Sequence, residues 1–158
     1  MGERKFSAAI KRLGEERDRM WSSEPDDLKK LKTVQGAYYQ SAPIRLYAES
    51  ETRECADYLW HFRMLARDSK QNFEHLKPVL SGMLEYKADK WIRWYKLENT
   101  PALMRQVAAA VQDLQSREEM IELLNGLLHY MNRLNFWFDS TIPWLTISSV
   151  FDWVAEGR

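Results

Sequence analysis

The stretch Ser116–Phe138, SREEMIELLNGLLHYMNRLNFWF, constrains the chain most, because its apolar residues wrap more than half of a helical circumference. Ile121, Leu124, Leu128 and Met131 form one flank, and Met120, Leu123, Leu127, Tyr130, Leu134 and Trp137 continue round to the other. A helix with so wide an apolar surface has to be covered on two sides. One polar strip remains: Glu118, Glu122, Asn125, His129 and Asn132.

The rest of the chain supplies helices to cover it. Residues 3–21 carry Phe6, Ala9, Ile10, Leu13 and Met20 on one face, opposite a mixture of Glu, Arg and Lys. Ser22-Ser23-Glu24-Pro25, followed by Asp26 and Asp27, is a helix start, since Ser accepts free N–H groups and acids favour the positive end of the helix dipole. The second helix is expected over about 25–40. Val, Tyr and Ile in TVQGAYYQSAPIRLYA favour strands, so a small β-hairpin near residues 33–48 is the alternative. Pro43 closes this element, and Ser50 opens a third helix with Cys55, Tyr58, Leu59, Phe62 and Leu65 inward and Trp60 and Met64 on the other side.

Residues 69–97 form a long helical pattern in which Phe73, Leu76, Leu80, Met83, Leu84, Trp91, Trp94 and Tyr95 are in phase. Pro78 either kinks it or marks its true first turn. Thr100 as cap with Pro101 at the first helical position starts a fifth helix. Ser116 and Glu119 then have the spacing of a capping box, unless the fifth and central helices run on as one. Pro143 ends the central helix, and a short last helix is expected over about 146–155. The expected architecture is all-α: a compact bundle of six or seven helices in a single domain spanning residues 1–158.

Charge and motifs narrow the function by exclusion. The chain has 23 basic and 23 acidic residues, so no global field draws in a polyanion. A lone cysteine, Cys55, excludes an internal disulfide and a cysteine-based zinc site. The start, MGERKFSAAIKR, lacks the apolar core of a signal peptide, and no run has the roughly 18 apolar residues of a membrane span, so a cytoplasmic location is expected. There is no GxGxxG, GxxxxGK[ST], GxSxG or CxxC, and His61, His75 and His129 stand in no HxxxH or ExxH spacing. No metal or other cofactor is implied.

Aromatics are the departure from the ordinary: seven Trp, seven Tyr and six Phe. Such side chains are over-represented where proteins meet partners. The reading is a non-catalytic helical interaction protein: an adaptor, a regulatory module or a small subunit of a larger assembly, which binds a protein partner or self-associates. The contact candidates are Trp60, Trp144 and Trp153, with Lys90, Arg93 and Lys96 as an electrostatic rim. A first alternative is a nucleic-acid-binding module that uses the basic face of residues 87–96, KADKWIRWYK, where bases would stack on exposed aromatics. Helical phase instead turns Trp91, Trp94 and Tyr95 toward the core and Lys90, Arg93 and Lys96 away from it. A second alternative is a helical enzyme or cofactor carrier centred on Glu122 and His129, with Asn125 between them.

Overall fold

The computed structural model describes residues 3–33, 42–68 and 73–141. Among them are six α-helices, one 3-10 turn and no strand: α1 (Lys5–Ser22), α2 (Asp26–Thr33), α3 (Ala42–Asp68), the 3-10 turn Phe73–His75, α4 (Leu76–Tyr95), α5 (Asn99–Val111) and α6 (Arg117–Thr141).

The apolar girth of α6 is covered as its sequence demands. α3 packs along one flank and α1 along another, while α5 joins α1 to α4. Met120, Leu123, Leu124, Leu127, Leu128, Tyr130, Met131 and Leu134 are all buried, and Ile121 is half-buried. Each buried leucine or methionine contributes roughly 1.5–3 kcal/mol, which far exceeds what helix propensity alone supplies. Gly126 lets α1 come close: a Cβ there would meet Cδ1 of Leu13 at 3.2 Å.

Polar ties fix the helix directions. At one end the Arg4 guanidinium reaches Glu119 at 2.7 Å and Asp113 at 3.3 Å. At the other, the Trp137 indole donates to the carbonyl of Met20 at 2.9 Å, so α1 and α6 run parallel. Arg12 pairs with Gln106 and Glu16 with Asn99, which sets α5 antiparallel to α1. Lys77 reaches the Leu114 carbonyl and Ser81 the Ala108 carbonyl, so α4 is antiparallel to α5.

Several helix boundaries differ from expectation for local reasons. α5 is capped not by Thr100 but by Asp27 of α2, whose carboxylate accepts from the N–H groups of Glu98 and Asn99 at 3.0 Å each and Thr100 at 2.7 Å. That is an acid at the positive end of a helix. The Thr100 hydroxyl is thereby released to pair with the Tyr130 hydroxyl at 2.8 Å. The capping box forms by half: Ser116 Oγ accepts from the Glu119 N–H, while the Glu119 carboxylate takes the N–H of Gln115. α5 stops at Val111, so α5 and α6 are separate helices.

α3 begins at Ala42 rather than near Ser50, with Pro43 in its first turn, where its missing N–H costs nothing. Residues 42–48 are therefore helical, which removes the second half of the alternative hairpin; residues 34–41 lie outside the described residues. Pro78 marks the first turn of α4, after the 3-10 turn. The expected helix over 146–155 falls outside the described residues.

Candidate interaction surface

α3 and α4 meet through a set of ion pairs. Lys87 of α4 extends its ammonium to Glu51 and Glu54 of α3 at 3.3 Å each, and Lys90 reaches the other oxygen of Glu51 at 2.9 Å. The Lys87 and Glu51 side chains are only 4% and 6% exposed, so this is a buried ion cluster. Burial pushes the Glu51 carboxyl up, but the hydrogen bond from Lys90 and the charge of Lys87 outweigh it and leave the group below its ordinary value. Beside the cluster, the Cys55 thiol is pushed up to about 12, by burial first and by the Glu51 and Glu54 charges second, against the opposing pull of Lys87.

Outside this cluster lies an apolar surface. On α4, Val79, Tyr86 and Trp94 are 58%, 63% and 64% exposed, and together with half-buried Met83 they fall within a sector of about 80° at 100° per residue. On α3, Tyr58 and Leu65 are exposed beside half-buried Phe62. All three share the flank that carries Glu51 and Glu54 and faces α4. The Lys87 ammonium lies 5.9 Å from the Tyr58 ring centroid and links the two rows. Charges are therefore inside this seam and aromatics outside it.

The sequence reading of this region needs correction at three positions, Trp94, Tyr58 and Leu65. Trp91 and Tyr95 are buried as expected, but Trp94 is exposed, and so are Tyr58 and Leu65. Conversely Lys87 is buried. The reason is geometric: α4 centres its covered face on Leu80, Leu84, Ala88 and Trp91, with Lys87 at the edge where Glu51 arrives. Trp94 sits beyond that edge.

The candidate contact residues are dispersed. Trp60 is 53% exposed but lies about 200° round α3 from Tyr58, on a different side. Lys90 stands in the seam, tied to Glu51. Arg93 and Lys96 are exposed, and Lys96 ends α4 in the left-handed region at φ 57°. Trp144 and Trp153 lie outside the described residues. Glu122 and His129 are exposed and Asn125 half-buried, so the polar strip of α6 faces outward. Sequence reasoning missed Tyr58, Val79, Tyr86 and Trp94. The buried Lys87 among apolar neighbours is the signal that a second helix brings charge to this edge.

The basic look of residues 87–96 is much reduced. Lys87 and Lys90 are held by Glu51, and Asp89 and Glu85 on the same helix hold Arg105 of α5. Among the described residues no three His, Cys, Asp or Glu are grouped to hold a metal ion. No described helix is long and apolar enough to cross a membrane.

A family model described as the cucumopine synthase C-terminal helical bundle domain matches residues 6–140. The chain belongs to this family. The match runs from Phe6 in α1 to the last turn of α6, so it takes in both the core and the α3–α4 seam. No curated protein and no solved structure matches the chain.

Proposed function

We propose that this chain is a non-catalytic interaction module that docks through the α3–α4 face onto a protein partner. The supporting observation is the inverted polarity of that face: Tyr86 and Trp94 are more than half exposed beside a Lys87–Glu51 pair that is almost fully buried. Solvent-facing aromatics grouped in this way mark sites of association. If a partner covers them, each aromatic contributes roughly 2–4 kcal/mol of apolar burial. Lys90 and Glu54 at the margin add charge that selects orientation more than strength.

The family supports an architectural part of this kind. Its description names a helical bundle at the C-terminal end of a synthase, and a bundle in that position has a neighbouring unit to pack against. The reading for this chain is an accessory bundle that serves a catalytic unit. The alternative of nucleic-acid binding gains little support, because Asp89 interrupts the basic segment and Lys87 and Lys90 are tied to Glu51.

Hydroxyl-radical footprinting checks the docking face. In the assembly isolated from the natural source, Tyr86 and Trp94 should be protected relative to the isolated chain, while Trp21, 70% exposed on α1, stays reactive. Equal oxidation of Tyr86 and Trp94 in both samples would refute the proposal.

A further inference from the structure

The helices follow one another around the bundle: α4 lies on α5, α5 on α1, α1 on α6 and α6 on α3. The α3–α4 seam closes that circuit, and among the described residues it is the slightest of these helix contacts. At its centre stands the Lys87–Glu51 pair, with Glu54 bonded to Lys87 and Lys90 to Glu51. Cys55 follows Glu51 by one turn, about 40° further round α3. It is fully buried, whereas Tyr58, the next residue on that flank, is 46% exposed. Trp91 follows Lys87 by one turn on α4, and its indole N–H is buried with no acceptor among the described residues.

These groups lower the cost of parting the two helices. Separating two apolar faces loses all of their burial energy. Separating this seam returns an ammonium and a carboxylate to water, and their hydration offsets much of the lost attraction between them. Water that enters also reaches the Trp91 N–H, a buried donor whose unmet hydrogen bond weighs against the closed state. α3 keeps its contacts with α6 and α4 keeps those with α5, so the rest of the bundle stays folded while the seam opens.

We propose that the α3–α4 seam is a gate built into the fold: the two helices part at the Lys87–Glu51 pair, and only the closed state presents Tyr58 and Tyr86 as one surface. The gate governs the proposed docking face, yet it stands whether or not that face is an interface. Cys55 is its reporter. It is the single cysteine of the chain, and in the closed state burial pushes its thiol up to about 12, so reaction with a water-soluble disulfide requires opening.

The test is the rate at which Cys55 of the full chain reacts with dithiobisnitrobenzoate in mildly alkaline buffer without denaturant, at reagent concentrations where the rate is proportional to reagent. Dividing by the rate of the urea-unfolded chain gives the open fraction. Reaction should run at least about 100-fold faster than the globally unfolded fraction allows, with a urea dependence below about half of the global slope. Arg4→Ala, which unties α1 from Asp113 and Glu119, lowers global stability and should leave the Cys55 rate within about twofold of the parent. The two seam variants should move the rate in opposite directions. Glu51→Leu, which leaves the Lys87 ammonium with Glu54 as its carboxylate, should speed the reaction at least about tenfold. Lys87→Met/Glu51→Leu, which makes the centre of the seam apolar, should slow it at least about tenfold in a chain that circular dichroism shows to be folded. A Cys55 rate equal to that expected from the globally unfolded fraction, an Arg4→Ala rate that rises in step with the loss of global stability, or a folded double variant that reacts as fast as the parent would each overturn the proposal.

Discussion

Around α1, α5 and the ends of α6, charged groups tie helix termini together, some half-buried like Arg4 and some buried like Asp27. Along the α3–α4 seam, by contrast, charges are inside and aromatics outside. Arg4 bridges to Asp113 and Glu119 from a side chain 34% exposed, and Asp27 spends its carboxylate on the first N–H groups of α5. These contacts close the bundle over its core, although Trp21 at the end of α1 stays exposed. Lys87 and Glu51 instead take up interior volume at the seam while Tyr58, Tyr86 and Trp94 are turned outward. The difference is that the first region ties its helices together through their ends, whereas the second leaves Tyr58, Tyr86 and Trp94 exposed, as the proposed docking face requires.

The sharpest way to break the comparison is at the ion cluster. Glu51→Leu strands the Lys87 ammonium in a site with only Glu54 left as partner, so unfolding by urea should show a loss of about 3–5 kcal/mol. A loss below about 1 kcal/mol would mean that the seam opens to water and is not a buried cluster. Asp27→Ala removes three hydrogen bonds at the start of α5, and the same measurement should show a loss of about 1–2 kcal/mol.

Acid sharpens the comparison further, because Glu51 and Glu119 both titrate below their ordinary values in the folded chain. For Glu51, burial opposes the shift and the hydrogen bond from Lys90 and the Lys87 charge drive it; for Glu119, the hydrogen bond from Arg4 leads. A carboxyl depressed by folding stabilises the fold above its unfolded value, about 4.3, and that contribution is lost as pH falls through the lower folded value. Stability followed by circular dichroism should therefore hold near neutrality and decline below about pH 4.3. Glu51→Gln should make that decline shallower, and an unchanged acid limb would show that the cluster does not form.

The smallest effect is expected at the end of α4. Lys96 holds φ 57° without being glycine, and its N–H donates to the Ile92 carbonyl. Lys96→Gly should raise stability by about 0.5–1 kcal/mol, because only glycine adopts that region without a Cβ penalty. A thermal melt that moves down instead would indicate that the Lys96 side chain contributes a contact worth more than the backbone strain.

Much of the core was legible in the sequence because 3.6-residue periodicity reports burial directly. The girth of α6, the inner face of α1 and the burial of Trp91 and Tyr95 followed from spacing alone. What was not legible depended on neighbours far along the chain. Nothing near Thr100 announces that Asp27, in another helix, will cap α5. Phase placed Trp94 with Trp91, yet it cannot say where a covering helix stops. Lys87 reads as a solvated lysine until Glu51 is brought beside it. Of the contact residues read from the sequence, Trp60, Lys90, Arg93 and Lys96 do not share one face, and Lys90 alone among these four lies in the seam.

The central claim, that the aromatic face of α3 and α4 is half of a contact, is tested most directly by native mass spectrometry of the chain purified gently from its source, beside the Tyr86→Ser/Trp94→Ser double variant. Both substitutions lie at the surface, so the variant should match the parent in stability to within about 0.5 kcal/mol. The parent chain should appear in a complex with a defined subunit, and the equally stable variant should appear alone. A bare monomer for the parent chain, or a complex that survives both substitutions, would contradict it.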